Sequence, residues 1–277
     1  MAFKDILVAL NSYPDPTPVS VVDDAVSIAA ALGAHIAALS CETSVQVPGH
    51  FISNKLIDGV IAEETSKSRK NARELLAAFD AAAEKSGITH EALLEKCLTL
   101  EIPDMLVEYA RLRDLTILSI PASNDQWFAE ALIFGSGKPT LILPESPRPR
   151  PFELGTVAVA WDFGRAAARA ISDALPILEL ARKVRVVTVI KEKALDNKHS
   201  GEELAKNLAR HGIDVVLDEV DARGNPIGKV LESHALSNKA DLLVMGAYGH
   251  SRLREFVLGG ATQSLLSKPP LPILFSH

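Results

Sequence analysis

The sequence lacks a basic excess, a long apolar run and all but two cysteines, and each lack removes a class of function. Its 29 Lys and Arg against 35 Asp and Glu give a formal net charge of −6 and a pI near 5.8. No cationic field is available to hold a polyphosphate backbone, so no nucleic-acid partner is expected. The opening stretch offers only five consecutive apolar residues, 6–10, before Asn11, too few for a signal segment. No other run approaches the roughly 18 to 20 residues of a membrane helix, so no membrane partner is expected either. Cys41 and Cys97 fit neither a zinc spacing nor a disulfide framework. The expectation is two reduced, buried thiols in a cytoplasmic protein.

What is present is an average globular composition, 47% hydrophobic and 23% charged, at a length that suits two domains of about 140 residues. The stretch Ser146-Pro147-Arg148-Pro149-Arg150-Pro151 has linker composition and predicts domains at 1–146 and 152–277. The halves repeat one another. Residues 5–11 and 156–162 are each a short apolar run ending in an Asx residue, Asn11 and Asp162. Asp114-Leu115-Thr116-Ile117-Leu118-Ser119 mirrors Asp241-Leu242-Leu243-Val244-Met245-Gly246, 127 residues later. Residues 139–143 mirror 270–274 loosely, so each half closes with a strand.

In the second half Ala167, Ala170, Ile171, Ala174, Leu175 and Leu178 recur at helical spacing, predicting a helix over 165–182 in which Pro176 should introduce a kink. Strands at 184–190, 213–220, 241–246 and 272–275 alternate with helices at 202–211, 225–238 and 260–268. Continuously apolar strands between helices predict an α/β fold: two tandem doubly wound domains, each with a five-stranded parallel sheet flanked by helices. Ligands of such sheets sit beyond the carboxyl ends of the strands, where the strand order reverses.

At the carboxyl end of the fourth strand of the second half stands Gly246-Ala247-Tyr248-Gly249-His250-Ser251-Arg252, followed by Gly259-Gly260-Ala261-Thr262 before a helix. Glycines there would bare main-chain N–H groups to a ligand, and a helix N-terminus favours an anion. Ser251, Arg252 and Thr262 would add donors, and His250 is a loop residue of the same cradle rather than a catalytic base. The alternative is that these glycines serve turns only.

The spacing G-x2-G-x9-G at Gly246, Gly249 and Gly259 resembles the universal stress protein family, whose nucleotide-binding members carry it followed by Ser or Thr. The resemblance extends over both halves. It implies a tandem universal stress protein with Rossmann-like, adenine nucleotide alpha hydrolase-like domains. The C-terminal domain would bind ATP, ADP or AMP, with Mg2+ as an accompanying ion, as a regulatory ligand in the stress response. One departure is Gly260, where the family carries the hydroxyl. By the same resemblance Asp162, after Ala160 and Trp161 at the end of the first strand, would accept hydrogen bonds from the ribose or the adenine amino group. Its structural alternative is to cap the following helix. Val189 and the backbone of Met245 would line the adenine slot, and Ala261 the phosphate end.

The first half departs at every one of these points. Asn11 replaces the acid, Ser119-Ile120-Pro121-Ala122 replaces the glycine loop, and Trp127 and Phe128 stand in the places of Gly259 and Gly260. Bulky side chains would fill the phosphate space, so no nucleotide is expected there. Gly135-Ser136-Gly137-Lys138 and Gly228-Lys229 lack both the first glycine and the Ser/Thr of a P-loop. No catalytic residue can be assembled from spacing. Two other functions stay open: slow ATP hydrolysis or autophosphorylation, with Ser251 or Thr262 as acceptor, and a nucleotide-free interaction module. The resemblance also implies pairing of last strands, 139–143 with 272–275, as an internal pseudo-dimer. Homodimerisation and an unidentified protein partner stay open as well.

Overall fold

Residues 6–10 and 157–159 are buried along their whole length, as strands must be when helices cover both faces of a parallel sheet. The computed structural model describes residues 2–44, 55–121, 126–145, 152–190, 201–247, 249–252 and 255–277. In the first half the order is β1 (Asp5–Leu10), α1 (Val19–Leu32), β2 (His35–Ser44), α2 (Lys55–Ser86), β3 (His90–Leu98), α3 (Ile102–Arg111), β4 (Leu115–Ser119), α4 (Trp127–Gly135) and β5 (Thr140–Leu143). The second half runs β6 (Thr156–Ala160), α5 (Arg165–Leu178), β7 (Lys183–Ile190), α6 (Gly201–Arg210), β8 (Val215–Asp221), α7 (Ile227–Ser237) and β9 (Leu242–Gly246). It then continues through β10 (Gly249–Arg252), β11 (Glu255–Leu258), α8 (Gly260–Ser267) and β12 (Ile273–Ser276).

Two units form, one holding Phe3–Ser136 and the other Gly137–Pro144 with Phe152–His277. In the first the strand order is β3-β2-β1-β4, all parallel. In the second it is β8-β7-β6-β9-β12-β5, parallel up to β12. Although β5 lies in the first half of the sequence, it belongs to the second unit. There it runs antiparallel to β12, with Ile142 opposite Ile273 and Thr140 opposite Phe275. That pairing covers the edge β12 would otherwise expose. Each unit reverses its strand order beside its first strand, which places a crevice at the carboxyl ends of β1 and β4 and another at those of β6 and β9.

The repeat is visible in its hydrogen bonds. Asp114 Oδ2 accepts from the amides of Lys4 at 2.8 Å and Asp5 at 3.1 Å. Asp241 Oδ2, its counterpart, accepts from Gly155 at 3.1 Å and Thr156 at 2.8 Å. Each carboxylate pins the entry of one strand to that of its neighbour and so fixes the register that sets the crevice beyond. Pro176 lies two residues before the end of α5, where it has no N–H to give the Ser172 carbonyl, and the helix ends four residues sooner than its pattern predicts.

The cysteines require a correction. Cys41 on β2 and Cys97 on β3 are joined in a disulfide, with Cα atoms 6.4 Å apart, so neither is a reduced thiol. The parallel register sets Cys97 opposite Thr43 and Cys41 opposite Glu95. The crossover through α2 returns the chain beside β2, a proximity that a separation of 56 residues hides in the sequence. Among the described residues no helix is long and apolar enough to cross a membrane.

Candidate functional site

The second unit holds a cleft of about 380 Å³ at the carboxyl ends of β6 and β9. Of the residues singled out in the sequence, Ala160, Trp161, Asp162, Val189, Met245, Gly246, Gly259, Gly260, Ala261 and Thr262 all line it. Four walls were not foreseen: Ala167 on α5, Val187 on β7, and Ile227 and Leu231 on α7. Val187 and Val189 share one face of β7 by the two-residue period, and Ile227 and Leu231 share one face of α7 by the four-residue period. Apolar residues at such spacing serve a core and a cleft equally well, so their sequence pattern could not separate the two.

Gly246 is required by packing as well as by the cleft. A Cβ there would meet Ala166 and lie 2.6 Å from the backbone nitrogen of Ala167, so β9 can approach the start of α5 only without a side chain. Gly260 differs: nothing lies within 4 Å of the Cβ it lacks. Gly259 is the N-cap of α8, with φ −63° and ψ 146° and no side chain to cap the helix. The first intrahelical bond runs from the Gln263 N–H to the Gly259 carbonyl at 2.9 Å, so the amides of Gly260 and Ala261 precede it and lie at the cleft. Thr262 is fully buried beside them.

The opposite end is shaped by the turn after β6. Asp162 Oδ1 accepts from the Gly164 N–H at 2.9 Å in the turn before α5, but Gly164 is itself the N-cap and no side chain caps the helix, so Asp162 does not take the capping role of its structural alternative; it lines the cleft. Phe163 adopts φ +64°, a left-handed conformation uncommon for a bulky residue. Its ring lies 5.3 Å from that of Trp161, and the Trp161 N–H donates to the Val187 carbonyl at 2.9 Å. Asp162 is the one ionisable side chain lining the cleft among the described residues.

The segment between Gly246 and Gly259, read from sequence as an open loop, contains an antiparallel hairpin, β10 with β11, pairing Gly249 with Leu258 and Arg252 with Glu255. Gly249, His250, Ser251 and Arg252 lie on its first strand. Tyr248 falls outside the described residues, as do Leu253 and Arg254.

The matching crevice of the first unit measures about 30 Å³, room for about one water. Phe128 lines it; Trp127 does not and is 38% exposed, which corrects its expected part in the plug. The polar groups are engaged internally. Asn11 donates through Nδ2 to the Asp15 carbonyl at 2.8 Å, its N–H donates to Thr17 Oγ1 at 2.8 Å, and Ser12 pairs with Ser68 at 2.9 Å. Ser119 donates to Glu145 at 3.3 Å. Burial holds the Glu145 carboxyl above its ordinary range, an effect the Ser119 hydrogen bond opposes and nearby Asp15 reinforces.

Residues 154–277 match the model of the Universal stress protein family. Over 37 residues the chain is 51% identical to Universal stress protein Slr1230 of Synechocystis sp., a match spanning 13% of this chain and 13% of that relative's length. Among solved structures, a universal stress protein from Archaeoglobus fulgidus DSM 4304 is similar with a TM-score of 0.70 at 15% identity, over 98% of this chain and 97% of its own. A functionally unknown protein from Pseudomonas aeruginosa PAO1 is similar with a TM-score of 0.59 at 14% identity, over 99% of this chain and 92% of its own. At these identities the two structural likenesses show the fold.

Proposed function

We propose, from the premise that residues 154–277 form a universal stress protein domain, that the cleft of the second unit binds an adenine nucleotide, ATP first among them, as a regulatory ligand in the stress response. The observation that carries this reading is the start of α8: a helix with no side-chain cap, opening through Gly259 and Gly260 onto a cleft of about 380 Å³. Bare amides at a helix N-terminus favour phosphate oxygens, both as donors and through the helix dipole. The apolar faces of Val187, Val189, Ile227 and Leu231 suit a flat base, and Asp162 supplies an acceptor for ribose hydroxyls or an amino group. Mg2+ carried with the phosphates would supply positive charge that these lining side chains do not.

The test is direct. Small molecules released by acid from the purified protein should include an adenine compound, and saturating ATP should raise the melting temperature. Ligand at 100 times its Kd stabilises by about 2.7 kcal/mol. A protein that releases no adenine compound and whose melt is unmoved by millimolar ATP, ADP or AMP would refute the reading.

A further inference from the structure

The stripe of α7 that reaches the cleft carries Ile227 and Leu231, and three residues further along the same face stands His234. Its side chain is 10% exposed, and its Nε2 lies 3.0 Å from Asp218 Oδ2 on β8. Arg185 on β7 holds the same carboxylate, Nε and Nη2 donating to Oδ2 and Oδ1 at 2.8 Å each. A carboxylate held by a guanidinium has only acceptors to offer, so the proton between them is on His234 Nε2. His234 Nδ1 is buried and has no partner among the described residues. Asp218 stands opposite Val187 in the parallel register, and Arg185, Val187 and Val189 share one face of β7, so the cluster adjoins the apolar wall of the cleft. At its start α7 is pressed against α8: a Cβ at Gly228 would lie 3.2 Å from Ser264 Cβ and 3.3 Å from the Ala261 carbonyl oxygen. Leu231 lies midway between these two anchors, three residues from each.

We infer that His234 is a positioning residue of the nucleotide cleft: through Asp218, itself fixed by Arg185, it sets the depth and rotation of α7 and so the place of Leu231 against Val187, the slot that takes the flat base. The inference rests on the nucleotide reading above and adds how the base end of that site is built. An apolar residue at 234 would continue the stripe of Ile227 and Leu231 without an unpaired nitrogen, yet apolar contact is non-directional and lets a helix turn and slide. A hydrogen bond to a carboxylate in a bidentate guanidinium grip fixes one position. The phosphate end is built separately, from the amides at the start of α8, so the latch governs the base and leaves the phosphate contacts as they are.

Titration calorimetry of the full chain with ATP and with adenosine separates the two ends of the site, because the ratio of their affinities reports the phosphates alone. His234→Leu fills the position without the bond and should weaken both ligands about tenfold, the loss of one hydrogen bond to a charged group, with that ratio unchanged. His234→Gln, whose amide N–H can reach the same carboxylate, should restore both to within about threefold of the parent. In the parent itself a ¹H–¹⁵N spectrum of the histidine rings should show the proton on His234 Nε2, and the ring signals should move saturably with adenosine. Parent-like binding of both ligands by His234→Leu, a His234→Gln no better than His234→Leu, an ATP-to-adenosine ratio that falls in His234→Leu, ring signals that ignore adenosine, or a parent that binds ATP but not adenosine would overturn the latch and leave nucleotide binding standing. A parent that binds neither ligand would instead overturn the nucleotide reading, and the latch with it.

Discussion

Two crevices occupy the same corner of the same fold, one of about 380 Å³ in the second unit and one of about 30 Å³ in the first. The strands that frame them are pinned alike, by Asp241 in one and Asp114 in the other. What differs is the next few residues. After β9 the chain reaches its helix through Gly259 and Gly260 and leaves amides at the cleft; in the first unit α4 begins with Trp127 and Phe128, and Phe128 lines the remnant. The framing strands tolerate either outcome. Two things separate the corners: the bulk at the start of the last helix, and the internal hydrogen bonds that already engage Asn11, Ser12 and Ser119 in the first unit.

Four substitutions would break or sharpen that contrast. Gly259→Val puts a β-branched side chain at the mouth of the cleft and should weaken ATP binding by at least about 100-fold, or about 2.7 kcal/mol. Titration calorimetry would measure the loss, and a melt without nucleotide should stay within about 1 kcal/mol of the parent. Phe128→Ala removes a half-buried ring from the first crevice and should destabilise by about 2 kcal/mol, less than the ~3 to 5 of a fully buried Phe. It should not create a second nucleotide site, because Asn11, Ser12 and Glu145 remain engaged as they are. Denaturant titration and ligand stoichiometry check the two halves of that statement. Asp162→Asn keeps an oxygen for the Gly164 amide but removes the charge, and should weaken ATP about tenfold with little change in the melt. Gly260→Ser restores the hydroxyl that the family motif carries into space with nothing within 4 Å; ATP should bind about threefold more tightly, as one added hydrogen bond allows.

The fold was legible because apolar strands buried on both faces leave unbroken runs, and because Asp114 and Asp241 mark the same place in each repeat. The cleft was legible in its glycines, whose spacing carries information that side chains do not blur. Ala167, Val187, Ile227 and Leu231 were not, since an apolar residue facing a cleft and one facing a core obey the same periodicity. The hairpin between Gly246 and Gly259 was missed because its strands, Gly249–Arg252 and Glu255–Leu258, are too short to show alternation. The cystine was missed because contact between β2 and β3 depends on where α2 returns the chain, which spacing does not encode. Trp127 was misplaced because adjacent helical residues point about 100° apart, and only one of the pair can face the crevice.

Equilibrium dialysis of the full chain against ATP, counting moles bound per chain in the parent and in the Gly259→Val and Phe128→Ala variants, tests the central claim most directly. The account predicts one nucleotide in the parent, none in Gly259→Val and one in Phe128→Ala. No nucleotide in the parent, two per chain, or one that survives Gly259→Val would contradict it.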